Sequence, residues 1–543
     1  MTLRSSSVAH TLVAALRELG VRHVFGVPSG GWVDYLEALR EAEGIDFVLT
    51  THEGGAAMMA DVCGRLTGVP GVCFGTFGPG ATNLATGVGG ALLDRSPMIA
   101  LTDELPEGLR GRTVQMGIDH QALFRPLTKR TMRLSRDRVR STVFEAAHIA
   151  LAERPGPVHI GLPVGMSAEE AGEEDAHPRA PLPCLPAPAE ALAKMRAMVA
   201  QARKPVIALG LGAVRAQVRE RILRFAESLR LPIVLTPMAK GMVAEDHVCY
   251  AGVVFHALSD LVGETHRESD LVIAVGYDPV EFNLESWIPK TALIAIDTVP
   301  ADVDPAAASS VLNVTGDIAA AVEYLADDTL DAKDWDLEAL AKRRQAMFAR
   351  LSAKRGQFGP VAALEVLRAI LPVDGIMTCD VGAHTHLIGQ KWPTPCPGLQ
   401  IMSNGWSTMG FGIPSGIAAK LCRPDREVVC VAGDGGFLMT VGELAVAVRL
   451  NLKVVFVVLS DNDLALIRIK QQKKANAIYG TEVREKGALG TTNLFGVPVL
   501  STATPGEFRE ALLRAFAGDG PIVVEAIVDS REYDSLVLKK DKF

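Results

Sequence analysis

Long apolar runs, basic tracts and aromatic residues are all scarce in this sequence. Aromatic residues make up 5% of the 543 residues, and Asp plus Glu outnumber Lys plus Arg by 63 to 55, which gives a formal charge of −8. A negatively charged chain without a basic tract is a poor match for nucleic acid, so we expect no such partner. Because no apolar run reaches the length of a membrane span, we also expect no membrane association.

Cysteine is scarce as well, and its spacing is irregular. The eight Cys residues are scattered without Cys-x-x-Cys spacing. The first twelve residues, MTLRSSSVAHTL, lack the long apolar core of a signal peptide. Together these features predict free, mostly buried thiols in a reducing, cytoplasmic compartment.

The length of the chain predicts more than one domain. Residues 166–190, rich in Glu, Pro and Ala, predict one linker, and the charged, helical pattern of residues 326–355 predicts a second. We therefore expect three units, at residues 1–165, 191–325 and 356–543.

Local patterns predict several individual elements. We expect a helix over Ser7–Leu19 and strands over residues 24–28, 47–50, 205–210 and 376–380. Between residues 434 and 450 the pattern predicts one amphipathic helix. Its apolar positions are Val441, Leu444, Val448 and Leu450.

Two short apolar runs after residue 427 each predict a buried strand that ends in a carboxylate. Asp434 follows Val428–Ala432 within the sequence Gly-Asp-Gly-Gly, and Asp461 follows Val454–Leu459. Ligands bind at the carboxyl ends of strands in open parallel sheets, and glycines at a helix start leave N–H groups open to phosphate. Two carboxylates there suit Mg²⁺, which prefers oxygen ligands shared with phosphates. The residues predict a metal–diphosphate site, the alternative being a tight turn with an incidental Asp.

This spacing resembles the thiamine diphosphate motif, since an Asp- and Asn-rich break follows 27 residues after Asp434. The chain is thereby identified as a member of the thiamine diphosphate-dependent enzymes, closest to the FAD-independent, catabolic type of acetolactate synthase. Ser460 stands where the family usually has Asn. The resemblance implies Mg²⁺ binding by the Asp434 and Asp461 side chains and by the Asp463 carbonyl. It also implies cofactor contacts from Gly433, Gly435, Gly436, Leu464 and Ala465.

Glu53 is a charged residue at a predicted strand end, followed by small residues that predict a helix start. One interpretation is a carboxylate favoured by the helix dipole. The family resemblance implies instead that Glu53 is catalytic and contacts N1′ of the cofactor's aminopyrimidine. Both interpretations remain open from the sequence.

A glycine-punctuated turn at residues 75–83 resembles the family's Thr-Ser-Gly-Pro-Gly-Ala-Thr-Asn loop, although any loop in a packed sheet can carry glycines. The resemblance implies cofactor contacts from Thr76, Gly80 and Asn83. Phe77 replaces the usual Ser and would narrow the substrate pocket. Counting back from the Pro-x-Thr-Lys segment at residues 126–129 puts the family's active-site Gln at Met116. The adjacent Gln115 is therefore our candidate for a catalytic, substrate-contacting Gln.

Two further segments of the third unit resemble cofactor-binding loops. The Asp-Val-Gly-x-His sequence at residues 380–384 implies diphosphate contacts from Gly382, Ala383 and His384, the alternative for His384 being a surface-loop residue. Residues 403–414 resemble the segment that grips the pyrimidine. There the Ser407 carbonyl would accept from the 4′-amino group, and Met409, a candidate catalytic residue, would wedge between the rings. A Met in that context is otherwise ordinary core filler.

The middle unit carries a different indication. The sequence Gly-Tyr-Asp-Pro-Val-Glu at residues 276–281 resembles the FAD-independent catabolic enzymes. It implies that FAD is not a cofactor. The lone Gly-x-Gly at residues 210–212 is poor evidence for a dinucleotide site.

The resemblance covers nearly the whole chain and implies an α/β fold of three doubly wound parallel-sheet domains, in the order pyrimidine-binding, middle and diphosphate-binding. It implies a homodimer or homotetramer with active sites between subunits. No His-His pair is present. The resemblance places Ile467 in the substrate pocket, where decarboxylases have a Glu, and Lys470 replaces the Trp of biosynthetic acetolactate synthases. Decarboxylation of a 2-oxo acid, pyruvate first, followed by carboligation is therefore expected. Alternatives are another thiamine diphosphate-dependent lyase, decarboxylase or acyltransferase, and a non-catalytic binding homologue.

Overall fold

Three parallel sheets follow one another along the chain. The computed structural model describes residues 6–179, 182–283, 287, 290–326, 330–354, 356–484 and 489–536. Helices cover both faces of each sheet, so the predicted α/β fold of three doubly wound domains is confirmed. Within these residues, no helix combines the length and the apolar character needed to cross a membrane.

The first sheet has the strand order β2-β1-β3-β4-β6-β5, with all neighbours parallel. Its strands are β1 His23–Gly26, β2 Asp46–Leu49, β3 Gly71–Gly75, β4 Met98–Glu104, β5 Arg130–Arg133 and β6 Pro157–Pro163. Its helices are α1 Val8–Glu18, α2 Val33–Glu41, α3 Glu53–Thr67, α4 Pro79–Leu93, α5 His120–Phe124 and α6 Val139–Leu151. Every residue of β4 is buried, as expected for a central strand covered on both faces.

The middle sheet has the order β12-β11-β10-β7-β8-β9 and is also fully parallel. Its strands are β7 Pro205–Leu209, β8 Ile233–Leu235, β9 Tyr250–Val253, β10 Leu271–Val275, β11 Ala292–Asp297 and β12 Ser310–Thr315. Its helices are α7 Ala189–Gln201, α8 Leu211–Arg215, α9 Arg219–Leu229, α10 Ser259–Arg267 and α11 Ile318–Ala326. Helix α12, Leu337–Arg350, lies within the predicted second linker and packs on this domain through Leu340 and Met347.

The third sheet has the order β14-β13-β15-β16-β19-β18-β17, in which the short last pair is antiparallel. Its strands are β13 Ile376–Cys379, β14 Gln400–Met402, β15 Val428–Gly433, β16 Val455–Ser460, β17 Asn493–Leu494, β18 Val497–Thr502 and β19 Ile522–Ile527. Its helices are α13 Pro360–Ile370, α14 Ala383–Lys391, α15 Gly412–Cys422, α16 Asp434–Thr440, α17 Leu444–Arg449, α18 Ala465–Lys473 and α19 Pro505–Ala517.

The first and third domains share one core, in which α3 packs against α4 and α15. Buried residues of α3, such as Ala57 and Val62, belong to the same apolar cluster as Ile413 and Ile417 of α15. Small residues permit this close packing. A Cβ added to Gly87 of α4 would lie 2.5 Å from the Ala57 Cβ, so a larger residue there would push the helices apart.

The predicted amphipathic helix after Asp434 differs from the structure. It is split into α16, a 3₁₀ turn at Val441–Glu443, and α17. Val448 and Leu450 are more than a third exposed. The break turns Glu443 inward, where it is fully buried and contacts the first domain. This tertiary contact outweighs the regular helical pattern.

Candidate functional site

The third sheet changes strand order between β13 and β15, and the loops after these strands meet at that point. Such switch points are where open α/β sheets bind ligands. Asp434 begins α16 directly after β15, and Asp461 follows the neighbouring β16. The Asp434 carboxylate accepts the Gly435 N–H at 2.9 Å and the Asn462 N–H at 2.7 Å. It therefore ties the two predicted metal-binding loops together.

The Asp434 and Asp461 carboxylates are partly desolvated and repel each other. Burial and the nearby charge of Asp434 raise the pKa of Asp461 to about 7. Burial also raises the pKa of Asp434. A cation between these two carboxylates would offset both the free-energy cost of burying them and their mutual repulsion. The donor set fits a hard divalent cation.

The turn after Asp461 orients the rest of the second loop. Asn462 has a φ of 62°, in the left-handed region that Asn tolerates better than most residues. The Asp463 carboxylate pairs with Arg468 Nε at 2.8 Å, so its side chain is held on α18. The Ser460 hydroxyl donates to the Glu525 carboxylate at 2.7 Å. Glu525 is fully buried inside the sheet.

His384 lies between the glycines of the two loops at the switch point. A Cβ on Gly382 would lie 2.8 Å from the His384 Cε1 atom, and one on Gly433 would lie 3.3 Å from it. The ring is 4% exposed, and its Nε2 atom has no hydrogen-bond partner among the described residues. Burial lowers the pKa of His384 to about 4, so the ring is neutral at pH 7. A buried, unpaired nitrogen beside residues without side chains fits the oxygen of an anionic ligand.

Asp380 organises this site, although the sequence analysis gave it only as the first residue of the Asp-Val-Gly-x-His segment and did not name it as a site residue. It is fully buried directly after β13. Its carboxylate accepts the N–H groups of Val381 at 2.5 Å and of Gly410 and Gly412 at 3.0 Å. Burial raises its pKa to about 6. Asp380 thus joins the loop before α14 to the loop before α15.

Met409 and Ser407 lie in the loop that Asp380 holds. The Met409 Cε atom would be 3.4 Å from a Cβ on Gly435, and the Leu464 Cδ2 atom would be 2.9 Å from it. These apolar groups therefore flank the glycines that begin α16. Ser407 has a φ of 52°, and its hydroxyl donates to the Asn404 carbonyl at 2.7 Å. The predicted pyrimidine segment thus borders the predicted diphosphate loop.

The first sheet presents a second cluster at its own carboxyl edge. Glu53 is the first residue of α3, capped by His52, and is 8% exposed. Asn83 donates to the Glu53 carboxylate at 2.9 Å, and the other carboxylate oxygen would lie 3.1 Å from a Cβ on Gly80. Three predicted cofactor residues are therefore neighbours. Thr76 also belongs to this loop, and its methyl group would lie 2.9 Å from the same Cβ.

Glu443 of the third domain fixes the N-terminus of α3, a contact that the sequence analysis missed. Its carboxylate accepts the Thr51 N–H at 3.2 Å and the His52 N–H at 3.1 Å. A Cβ on Gly55 would lie 2.4 Å from the same carboxylate. Burial raises the pKa of Glu443. The position of Glu53 thus depends on a residue almost 400 positions later.

Buried histidines support the loop that carries Phe77. The Gly78 N–H donates to His120 Nε2 at 3.1 Å, which leaves Nδ1 as the protonated nitrogen. His120 Nδ1 donates to the Thr102 hydroxyl at 3.0 Å, and Thr102 donates to His159 at 2.8 Å. Burial lowers the pKa of His120 to about 4, which keeps this neutral chain intact at pH 7.

Three family models match the chain in order. They are the N-terminal thiamine pyrophosphate (TPP) binding domain over residues 6–123, the TPP enzyme central domain over 192–325, and the C-terminal TPP binding domain over 380–526. The chain belongs to the thiamine pyrophosphate enzyme family. The outer two matches contain the Glu53 cluster and the Asp434 cluster. The predicted membership of this enzyme family is therefore confirmed.

Known relatives place the chain near acetolactate synthases within the thiamine pyrophosphate enzymes. It is 31% identical to the acetolactate synthase large subunit of Parasynechococcus marenigrum, over 96% of this chain and 87% of the relative. It is 30% identical to isozyme 2 large subunit of Escherichia coli, over 96% of each chain. It is also 30% identical to the catabolic acetolactate synthase of Raoultella terrigena, over 96% and 95%.

The predicted substrate-pocket residues of this thiamine pyrophosphate enzyme lie at the surface of the single chain. Gln115 is exposed, and the neighbouring Met116 carbonyl packs against Gly78. Phe77 is half-buried in the loop that His120 supports. Ile467 is 43% exposed on α18, two residues after the buried Ala465. These residues flank the two clusters without contributing to their hydrogen bonds.

The middle domain of this thiamine pyrophosphate enzyme has a switch point of its own, between β10 and β7. There Gly276, with a φ of 56°, packs directly on the Gly-x-Gly segment, and the Gly212 N–H donates to the Gly276 carbonyl at 2.9 Å. The Glu281 carboxylate accepts the Leu211 N–H at 3.2 Å and the Met238 N–H at 2.7 Å. The strand ends of this sheet are therefore occupied by the protein's own backbone and carboxylate. Burial raises the pKa of Glu281 to about 7.

Proposed function

We propose that this thiamine pyrophosphate enzyme is a Mg²⁺-dependent carboligase. It decarboxylates a 2-oxo acid, pyruvate first, and joins the remaining acyl unit to a second carbonyl compound, in line with the names of its acetolactate synthase relatives. The observation that carries the proposal is the Asp434–Asp461 pair beside His384 at the switch point of the third sheet. This is a site built for a cation and a polyanion together.

The loops around His384 would hold the diphosphate of the cofactor. Gly382, Gly433 and Gly435 leave space that side chains would fill, and His384 has an unpaired nitrogen there. Asp434 and Asp461 would bind Mg²⁺ through their side chains. The Asp463 side chain is paired with Arg468, which leaves its backbone carbonyl for the metal. The remaining proposed cofactor contacts are Ala383, Gly436, Leu464 and Ala465.

Bound thiamine diphosphate supplies a nucleophilic carbon and takes up the electrons released with CO₂. The protein's task is to orient the rings, hold the proton that they exchange and exclude water. Met409 would separate the two rings, and the Ser407 carbonyl would accept from the 4′-amino group. Glu53 would hold a proton at N1′, and its carboxylate is oriented by Asn83 for that exchange.

Carboligation is favoured over simple decarboxylation by the residues that flank the site. Ile467 has no proton to donate where the resemblance puts the Glu of decarboxylases, so it would not assist release of an aldehyde, and transfer to a second carbonyl compound is favoured. Gln115 and Phe77 would contact the substrates. Phe77 and Lys470 differ from the biosynthetic relatives, and these two residues would set the size of the acceptor.

We also propose that the enzyme needs no FAD. Glu281 already binds the N–H groups at the ends of β7 and β8, and a dinucleotide phosphate would have to displace its carboxylate. The purified protein should therefore be colourless. A flavin absorption band at one equivalent per chain would contradict this part of the proposal.

We propose a homodimer or homotetramer in which Glu53 of one subunit serves the diphosphate site of another. Within the described residues, no hydrogen bond or ion pair joins Glu53 to Asp434, Asp461 or His384. Exposed apolar residues flank both clusters and would be covered by a second copy: Leu49, Met116, Ile118, Trp406, Leu438 and Met439.

Subunit mixing tests this arrangement. Alone, we expect Asp434→Ala to be inactive and Glu53→Gln to keep at most about 1% of the wild-type rate. Co-expressed, the two should recover about one quarter of the wild-type sites, because half of randomly paired dimers carry one intact site. Co-expression of Asp434→Ala with Asp461→Ala, which damage the same half-site, is the matched control and should recover nothing. Failure of the first pair to recover activity would place the site within one subunit.

The reaction itself is tested by stoichiometry. With pyruvate, thiamine diphosphate and Mg²⁺, carboligation should release one CO₂ for every two pyruvate molecules and form a five-carbon 2-hydroxy-2-methyl-3-oxo acid, detected by mass spectrometry. One CO₂ per pyruvate with free acetaldehyde would indicate a decarboxylase. If pyruvate alone gives neither product, a panel of aldehydes and other 2-oxo acids identifies the donor and acceptor. Lack of turnover across the panel despite cofactor binding would support the non-catalytic alternative.

A further inference from the structure

Two cysteines from distant parts of the chain meet where the first and third domains pack together. Cys63 lies in the last part of α3, and Cys422 is the last residue of α15. Their Sγ atoms are 3.0 Å apart, although the residues are 359 positions apart in the chain. All eight cysteines are free thiols.

The two thiols have different surroundings. Cys63 is 7% exposed within the shared core, whereas Cys422 is partly exposed. The S–H group of Cys63 and the charge of Arg423 lower the pKa of Cys422, while the contact with Cys422 and burial raise the pKa of Cys63. The Arg423 guanidinium is held beside Cys422 by the Leu66 and Cys422 carbonyls. Cys422 is therefore the better nucleophile, and Cys63 is placed to react with it next.

We propose that Cys63 and Cys422 are a site of oxidative modification, at which a hydroperoxide forms a disulfide between the first and third domains. The Cys422 thiolate attacks a peroxide oxygen and breaks the O–O bond, which yields a sulfenic acid and, after protonation, one water. The Cys63 sulfur then attacks the Cys422 sulfur, forms the S–S bond and releases a second water. Two thiols thus lose two electrons and two protons, and one hydrogen peroxide becomes two waters.

The other cysteines differ from this pair in geometry. Cys184 and Cys396 are also partly exposed, but in the described part of the chain neither has a second Sγ within contact distance. Cys73 is buried and contacts Met98 Sδ at 3.9 Å. Peroxide should therefore leave these cysteines as thiols or isolated oxidation products, and join Cys63 to Cys422 alone.

The cross-link would hold the end of α3 opposite to Glu53. The Glu443 carboxylate already holds the first turn of this helix, so a disulfide at Cys63 would fix both of its ends to the third domain. We expect oxidation to raise the melting temperature of the full-length protein, and dithiothreitol to reverse the change. Neither cysteine belongs to the proposed cofactor site, so the test does not depend on the identity of the reaction.

The test is a non-reducing peptide map of the full-length protein after brief treatment with one equivalent of hydrogen peroxide and alkylation. We expect a linked peptide containing Cys63 and Cys422, and a fall in titratable thiols from eight to six per chain. In Cys63→Ser, a 1,3-dione reagent should trap a sulfenic acid at Cys422. Cys396→Ser is the matched control and should form the linked peptide as the wild type does.

Two outcomes would overturn the proposal. One is oxidation of Cys184 and Cys396 as fast as Cys422, with no linked Cys63–Cys422 peptide in the wild type. The other is a linked peptide that joins two chains, detected as a dimer on a denaturing, non-reducing gel. The wild-type map and the wild-type gel decide these two outcomes even if a serine variant folds poorly.

Discussion

The middle and third sheets have similar architectures, but different groups lie at their switch points. In the middle sheet, the strand ends are filled by Gly276 and by the Glu281 carboxylate. In the third sheet, the corresponding edge holds an unpaired His384 nitrogen and two mutually repelling carboxylates, Asp434 and Asp461. The polar groups at the edge of the middle sheet are hydrogen-bonded to one another, whereas the edge of the third sheet has an unpaired nitrogen and two carboxylates that repel each other. A doubly wound sheet therefore provides a place for a ligand, and the side chains at the strand ends decide whether it is used.

Removing a carboxylate from the strand ends of the third sheet should have the largest effect on cofactor binding. We expect Asp434→Ala to abolish cofactor retention, with Mg²⁺-dependent affinity falling by about 100-fold or more, because even indirect metal partners typically contribute about 10–100-fold. Calorimetric titration with thiamine diphosphate and Mg²⁺ measures this. Asp463→Asn is the control, since it keeps the backbone carbonyl and should bind. Tight Mg²⁺-dependent binding by Asp434→Ala would contradict the metal site.

The contribution of the first sheet can be separated from binding at the third. We expect Glu53→Gln to retain the cofactor and the melting temperature but to lose about 10²–10⁴-fold in rate, the usual contribution of a placed acid–base group. The measurement is C2–H exchange of bound cofactor by NMR, beside a melting curve. If Glu53 only favours the helix dipole, its replacement would instead cost about 0.3–1 kcal/mol of stability. Exchange at the wild-type rate would then rule out the catalytic role.

The link between the two domains should have an intermediate effect. Glu443→Ala leaves the backbone N–H groups of Thr51 and His52 without their acceptor, and water can replace it because both residues are exposed. We expect the free energy of unfolding to fall by about 1.5–3 kcal/mol, the usual contribution of hydrogen bonds to a charged group. The rate should fall less than in Glu53→Gln, because Glu53 is displaced but not removed. Denaturant titration and steady-state rates test both points, and unchanged values in both would show that the contact is dispensable.

The Glu281 carboxylate at the strand ends of the middle sheet should affect the pH dependence of stability. The pKa of Glu281 is raised to about 7 by burial, so its stabilising contribution is complete below the unfolded pKa and is lost as pH rises through 7. We expect Glu281→Gln to remove this loss, which is about 1–3 kcal/mol because each pKa unit corresponds to about 1.4 kcal/mol. Denaturant midpoints at pH 5 and pH 8 measure the difference. Equal pH slopes in the variant and the wild type would contradict the buried, titrating carboxylate.

The sequence predicted the elements whose signals are local. The apolar runs before Asp434 and Asp461 are β15 and β16, within one residue of the expected bounds. Alternating strand and helix patterns and the family resemblance were enough for the three-domain fold. The roles of the predicted site residues stay predictions, although the structure brings most of them into two clusters.

What the sequence did not predict depends on contacts between distant residues. Glu443 is one acidic residue in a helical pattern until the fold brings it to Thr51, just before α3 and 392 positions earlier in the chain. Glu281 lies in a segment that was interpreted by resemblance alone. Its hydrogen bonds to two other loops are the physical reason why the strand ends of the middle sheet are occupied. Asp380 carried one weak signal, an acidic residue at the end of an apolar strand, which in a parallel sheet can organise a loop.

The shared core of the first and third domains also governs how the chain can be made. Helix α3 leaves the ribosome about 350 residues before its packing partner α15. At typical synthesis rates the interval is roughly 20–70 s. During that time the small-residue face of α3 that becomes the core lacks α15 as its cover, so chaperones that shield apolar surface have a defined target here. Completion of the third domain, rather than of the first, should then be the step at which Glu53 acquires its final position.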